Sequence, residues 1–470
     1  MADRSASETK QSTNGIDQAV AGPSRGPTSP RTTLNPEAGA FHVQHASNTR
    51  AQSRTENQRR QYPTGSGDKV RNKSSWILRN TEKRIATVTA ADINIGSVPV
   101  DSQSGFELLG SFDWAKAHLI YVPGAPPKWT PPTLPIKLKP DAGGLYIDQN
   151  GARVPVFPLA PLFKAVGEVT PGFNFTAVDC ITNRNGLRKL LSFVKGSVRD
   201  SFRIDMHVVQ DTLVLFRHER NVRDLIRGSG QNFGHSFESA FTKMTSGLED
   251  AQGHHRVIRY NLGGLNCVVQ FEVDAWYEAE DSSTDVTQAD VSSSRNEELP
   301  LPALDKLSLS EPKAYSAQNF GKAAASSHNR DVAVSHRGSN VPSSALAELK
   351  TRAKAKPKSI GEHLPQLWFG RIPHIITGLH EKGDGVFNKV DIRDANVQFA
   401  AWEELNQDAL RKLASLIAGL KEIAKKANGG VCAATCDSKV KLLKLEVFEL
   451  KKGGRKSVPP DVIGKFWREE

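Results

Sequence analysis

The chain has 470 residues, a formal net charge of +11 and only 38% apolar residues. Polar stretches rich in Pro, Gly and Ser dilute the apolar content at the N-terminus and around 280–343, so one core domain with appendages is expected rather than two or three domains. The positive excess draws polyanions, nucleic acid first among them. Four cysteines and no run of 18 apolar residues exclude a disulfide framework and a helical membrane span, and predict a soluble protein of a reducing, intracellular compartment.

Residues 1 to 75 are polar, basic and poor in aromatic and branched side chains, and are expected to be disordered. Apolar segments at 106–110 and 118–122 open a folded region assigned to 100–450, and the Pro-rich run 123–140 is expected to lie extended on its surface. Leu187, Leu190, Leu191 and Val194 recur at i, i+3, i+4 and i+7, predicting an amphipathic helix with Arg184, Arg188 and Lys189 at its start and outer face. Phe202, Ile204, Met206 and Val208 alternate, Gln210-Asp211 reads as a turn, and 212–217 returns as the second arm of a hairpin. A helix over about 235–244 would bury Phe237, Phe241 and Met244, with Glu238 at the edge of that stripe.

Two further strands, 257–261 and 265–276, are joined by Leu262-Gly263-Gly264, a hairpin signal. In the longer one Cys267, Val269, Phe271 and Val273 share a core face, and Gln270, Glu272 and Asp274 share a polar one. Residues 280–343 read as a disordered insertion; such a loop need not stop its flanks from pairing, since each doubling of length costs only about 0.6 kcal/mol. A partner strand over 345–351 follows, then strands at 372–379 and 387–392. A long helix over about 402–427 buries Leu413, Leu416, Ile417 and Leu420 and stops at Asn428-Gly429-Gly430. A last strand at 440–450 precedes a tail over 451–470.

The motifs Glu272-Val273-Asp274 and Glu348-Leu349-Lys350 carry the chemistry. A strand turns residues i and i+2 to one face, so pairing of the two strands would bring three carboxylates and a lysine together. Like charges so close are unfavourable unless a cation joins them, and hard divalent cations choose oxygen ligands. That is the outline of a metal-dependent phosphodiester-cleaving site. Any one of these residues alone reads more readily as a solvated strand face or an exposed cross-strand pair; the set in register favours the site. His254 and His255 are assigned to a turn or to phosphate contact. Lys354, Lys356 and Lys358 form a basic run suited to an RNA backbone, a nuclear targeting patch or a linker. Cys432 and Cys436 lack the second Cys/His pair of a zinc site.

In order, Gly234-His235-Ser236-Phe237-Glu238, Glu272-Val273-Asp274, Glu348-Leu349-Lys350 and Gln366 resemble the signatures of the decapping exoribonuclease family. The segments 182–190 and 366–378 add to the likeness. The resemblance implies an α/β (α+β) fold, a twisted mixed β-sheet flanked by helices with a PD-(D/E)XK nuclease-like core. It implies that Glu238, Glu272, Asp274 and Glu348 hold one or two Mg2+ or Mn2+ ions, with the Leu349 carbonyl as an extra ligand. Lys350, Gln366 and Glu348 would serve catalysis, Lys350 and Gln366 would also hold the phosphate, and Arg184 would clamp the RNA 5′ end. The implied activity is hydrolysis of aberrant caps or 5′ triphosphates, continuing 5′ to 3′ in some members, in the nucleus and also the cytoplasm. The alternatives are a non-catalytic stabilising partner of a 5′ to 3′ exoribonuclease and a DNA nuclease.

Overall fold

The computed structural model describes residues 75–116, 118–142, 144–222, 225–227, 232–278, 331–353, 360–381, 384–454 and 456–468. The expected N-terminal tail up to residue 74, the Lys354–Lys358 run and residues 280–330 of the expected insertion lie outside the described residues.

Two mixed sheets flanked by helices build the fold, as the α/β (α+β) reading expects. The first has eleven strands. From one edge to the other they are Thr81–Thr89, Lys444–Leu450, Val431–Cys436, Phe202–Val209, Thr212–His218, Cys180–Asn183, Leu265–Val273, His254–Leu262, Glu107–Trp114, Leu119–Gly124 and Ala333–Gly338. Cys180–Asn183 runs parallel to both its neighbours, so three strands end together at one rim of the sheet. The second has seven strands, with Ala275–Trp276, Leu346–Ala353, His374–His380 and Val386–Asp394 at its centre.

Local chemistry explains the main elements. Gly263 and Gly264 both take positive φ, which the tight turn between His254–Leu262 and Leu265–Val273 requires and which side chains resist. The predicted helix is Arg184–Val194; the Asn183 side chain caps it by accepting from the Gly186 N–H at 2.8 Å. With Leu364–Gly370 and Asn396–Lys425 it buries the largest apolar cluster, which includes Leu190, Val269, Trp368 and Leu413. Ala160–Val169 and Pro460–Phe466 cover a second cluster, which includes Val257, Val268 and Phe216.

Several expectations are corrected. The strand read as 265–276 breaks at Asp274, where the chain leaves the first sheet and enters the second. Its second face is not a polar surface, because Val268 and Gln270 are buried under the second apolar cluster. His254 and His255 form no turn. They are buried in a strand, His254 bonded to Asp113 at 2.7 Å and His255 stacked on Phe112, where loss of solvent pushes the His255 imidazole down to about 3. The insertion does not extend to 343: Ala333–Gly338 pairs parallel with Leu119–Gly124. The helix assigned to 235–244 ends at Phe241, the long helix begins at Asn396, and the last strand begins at Lys444 after Val431–Cys436, a strand with no sequence-based expectation. The folded region reaches outside 100–450, through Thr81–Thr89 and through Pro460–Phe466.

The C-terminal segment is therefore core rather than tail. Trp467 is 4% exposed, donates from its indole to Thr212 Oγ1 at 2.8 Å and lies against Phe163 and Phe175. Trp467→Ala is expected to cost about 3–5 kcal/mol in urea unfolding; a loss within experimental error would show that this segment does not stabilise the domain.

Candidate active site

The break at Asp274 builds the site. Ala275 and Trp276 pair antiparallel with Ala347 and Leu346, which sets Asp274 beside the next stretch of that strand, and its Oδ2 accepts from the Leu349 N–H at 2.9 Å. Glu348, one residue earlier, is 2% exposed, and three donors from separate elements converge on it. The Lys350 ammonium lies 2.5 Å from Glu348 Oε1, Arg184 Nη1 lies 3.3 Å from Oε2, and the Gln366 amide donates to Oε1 from the helix Leu364–Gly370. Lys350 Nζ also donates to the Leu349 carbonyl at 2.9 Å and stands 3.6 Å from Asp274 Oδ2.

Glu238 arrives on the helix Gly234–Phe241, which is held by an aromatic stack of Phe237 and Phe241 on Phe387. Gly378 makes that docking possible, because a Cβ there would collide with the Phe237 ring. Glu272 is exposed and makes no hydrogen bond or ion pair among the described residues. Gly253, at φ +129°, leaves room for it: a Cβ there would come within 3.1 Å of Glu272 Oε1 and 3.4 Å of Gln149 Nε2.

The charges are strongly coupled. Burial would raise Glu348, but Lys350 and then Arg184 outweigh it and hold the carboxyl down at about 2. Asp274 moves the other way, raised well above the usual range by burial and by Glu348 despite Lys350. Loss of solvent, then Glu238, push the Glu272 carboxyl up to about 7. The Lys350 ammonium is raised: burial opposes its charge, but Glu348 and Asp274 more than restore it.

The structure brings Arg184, Gln366, Lys350, Glu348, the Leu349 carbonyl and Asp274 into contact, with Glu238 and Glu272 within electrostatic reach of them, and it differs from expectation in part. Arg184 is not an outer-face residue; it is 8% exposed and packs over Phe271. Among the described residues no group of three or more His, Cys, Asp or Glu side chains is placed to enclose a metal. Instead the Lys350 ammonium lies among Glu348 Oε1, the Leu349 carbonyl and Asp274 Oδ2, three oxygens that the resemblance assigns to a cation. This all-oxygen donor set fits a hard divalent ion. Asn183 and Gly253 were not singled out as positioning residues; an Asn directly before a helix start was the available signal for the first, and none existed for the second.

A family model described as "Domain of unknown function (DUF8563)" matches residues 83–467. The chain belongs to this family. No curated protein matches it. Among solved structures it is similar to Rai1 of S. pombe, at 12% identity and TM-score 0.46 over 78% of this chain and 99% of that one. It is similar also to Candida albicans Rai1 in complex with pU5 and Mn2+, at 11% identity and TM-score 0.49 over 81% of this chain and 98% of that one. K. lactis Dxo1 in complex with manganese follows, at 8% identity and TM-score 0.41 over 78% and 96%. No helix among the described residues is long and apolar enough to cross a membrane.

The raised Glu272 carboxyl makes a stability prediction. Its folded value lies above its unfolded one, so the protein loses stability as pH rises from the ordinary carboxylate range through about 7. In EDTA, Glu272→Gln is expected to exceed the wild type by about 1 kcal/mol near pH 8, a figure kept small because solvent reaches this side chain. Near pH 4 the two should coincide. Urea unfolding at both pH values measures the difference, and a variant less stable at about pH 8 would contradict this electrostatic picture.

Proposed function

We propose that this cleft hydrolyses phosphodiester or pyrophosphate bonds at RNA 5′ ends with the help of one or two Mg2+ or Mn2+ ions. The observation that carries the reading is the Lys350 ammonium lodged among oxygens of Glu348, Leu349 and Asp274. A positive charge is already required there, and the same oxygens are those of a hard-cation site.

Glu238, Glu272, Asp274, Glu348 and the Leu349 carbonyl would hold the metal. Bound divalent cations supply an acidified water and neutralise charge on the scissile phosphate. The protein side chains do the rest. Arg184, fixed by Glu348 and the Phe271 ring, presents a planar guanidinium suited to a terminal phosphate. Lys350, once released from Glu348, brings an ammonium to the oxygen where negative charge develops. The Gln366 amide, on a rigid helix, orients water or a phosphate oxygen beside it. A carboxylate cluster that lowers stability would give a binding-only scaffold no benefit, which favours an enzyme. The nucleus is the proposed place of action.

Purified protein incubated with capped, 5′-triphosphate and 5′-monophosphate RNA should release cap, pyrophosphate or nucleotides in Mn2+ or Mg2+ and not in EDTA. An Asp274→Ala, Glu348→Ala double variant should lose that turnover. No turnover on any RNA would overturn the hydrolase reading in favour of a non-catalytic partner of a 5′ to 3′ exoribonuclease. Lys350→Ala is expected to lose about 100-fold or more in turnover while binding Mn2+ at least as tightly as the wild type by calorimetry.

A further inference from the structure

Glu238 reaches the cleft on a short helix, and that helix does not cap itself. Gly234–Phe241 has eight residues, and Phe233 before it offers no side-chain acceptor to the first N–H groups. Asp141, 95 positions earlier than Ser236, supplies one: its Oδ1 accepts from the Ser236 N–H at 2.9 Å, and its own N–H donates to the Asn232 carbonyl at 2.7 Å. The entry to the helix is thus held on both sides. The second sheet in turn places Asp141, because Ile136–Lys137 pairs with Val386 and Phe387, and the Leu138 N–H donates to the Gly385 carbonyl at 2.9 Å. Phe387 is also the ring on which Phe237 stacks, so one strand locates both the clamp and the helix.

His235 links the clamp to the carboxylate. It lies three residues before Glu238 and so shares its helix face. Its Nδ1 stands 3.8 Å from Glu238 Oε2, the one ion pair of that carboxylate among the described residues. Glu238, and less strongly Asp141, favour the charged ring against the burial that opposes it. Glu348 has three donors and Asp274 accepts from the Leu349 N–H, whereas Glu238 has only this imidazole. Glu272 and Asp274 repel Glu238, so an unrestrained side chain there would turn away from them. A carboxylate that ligates a metal needs a partner to hold its direction.

We propose that Asp141 and His235 are positioning residues for Glu238: Asp141 fixes the start of its helix, and the His235 ring sets the direction in which the carboxylate meets a divalent cation. The proposal rests on the metal-dependent reading above and deepens it.

The test is Mn2+ titration calorimetry of the full chain, with urea unfolding of each variant alongside. Asp141→Ala and His235→Leu should each bind Mn2+ about tenfold more weakly than the wild type. Asp141→Asn keeps an acceptor for the Ser236 N–H and His235→Asn keeps a donor toward Glu238, so both should recover most of the affinity. A role confined to stability would move the urea midpoint and leave the Mn2+ affinity of the folded protein unchanged. In a Glu238→Gln background the same substitutions should have no further effect, because the carboxylate they orient is gone. His235→Leu, at a half-buried position, decides the question alone if Asp141→Ala fails to fold. Wild-type Mn2+ affinity in His235→Leu, or an equal loss with and without the Glu238 carboxylate, would overturn the assignment and leave the metal reading standing. A wild type that binds no Mn2+ would overturn both.

Discussion

A single carboxylate, Glu348, sets the terms for the rest of the site. At 2% exposure it has lost almost all of its water, and a charge in that position persists only when donors replace the solvent. Lys350 comes from its own strand, Arg184 from a helix start on the first sheet, and Gln366 from a short helix that packs between the two. Each donor needs its element at a fixed position. The buried charge therefore ties strand Leu346–Ala353 to the helices Arg184–Val194 and Leu364–Gly370.

The route of the chain supplies the rest of the negative charge. By breaking at Asp274 and changing sheets, one continuous segment offers Glu272 to solvent and Asp274 to the interior. Burial, with repulsion from Glu238 and Glu348, raises both carboxyls, while Lys350 and Arg184 lower Glu348. Repulsion of this kind is offset by packing elsewhere, notably the aromatic stack of Phe237, Phe241 and Phe387 that holds Glu238 in place.

Much of this was legible from residue spacing. Alternation at Phe202, Ile204, Met206 and Val208, the apolar stripe Leu187–Leu190–Leu191–Val194 and the Gly263-Gly264 turn each corresponds to an observed element, although Arg203 and Asp205 between the apolar residues of the strand are buried as well. Val431–Cys436 was not legible: all six residues are buried, so a central strand of small side chains has no period to detect. Ala333–Gly338 was hidden for the opposite reason, a polar edge strand held by its backbone pairing to Leu119–Gly124. The proximity of the four acidic residues, Lys350 and Gln366 agrees with their motif order. The burial of Arg184 depends on contacts between distant segments and has no local signature.

The central claim is that Lys350 keeps a place that a divalent cation takes. Anomalous diffraction from crystals soaked in Mn2+ tests it most directly. A manganese peak within about 2.5 Å of Glu348, Asp274 and the Leu349 carbonyl, with the Lys350 ammonium moved off Glu348, is the predicted result. An unchanged Lys350–Glu348 contact with no manganese among these oxygens would contradict the account.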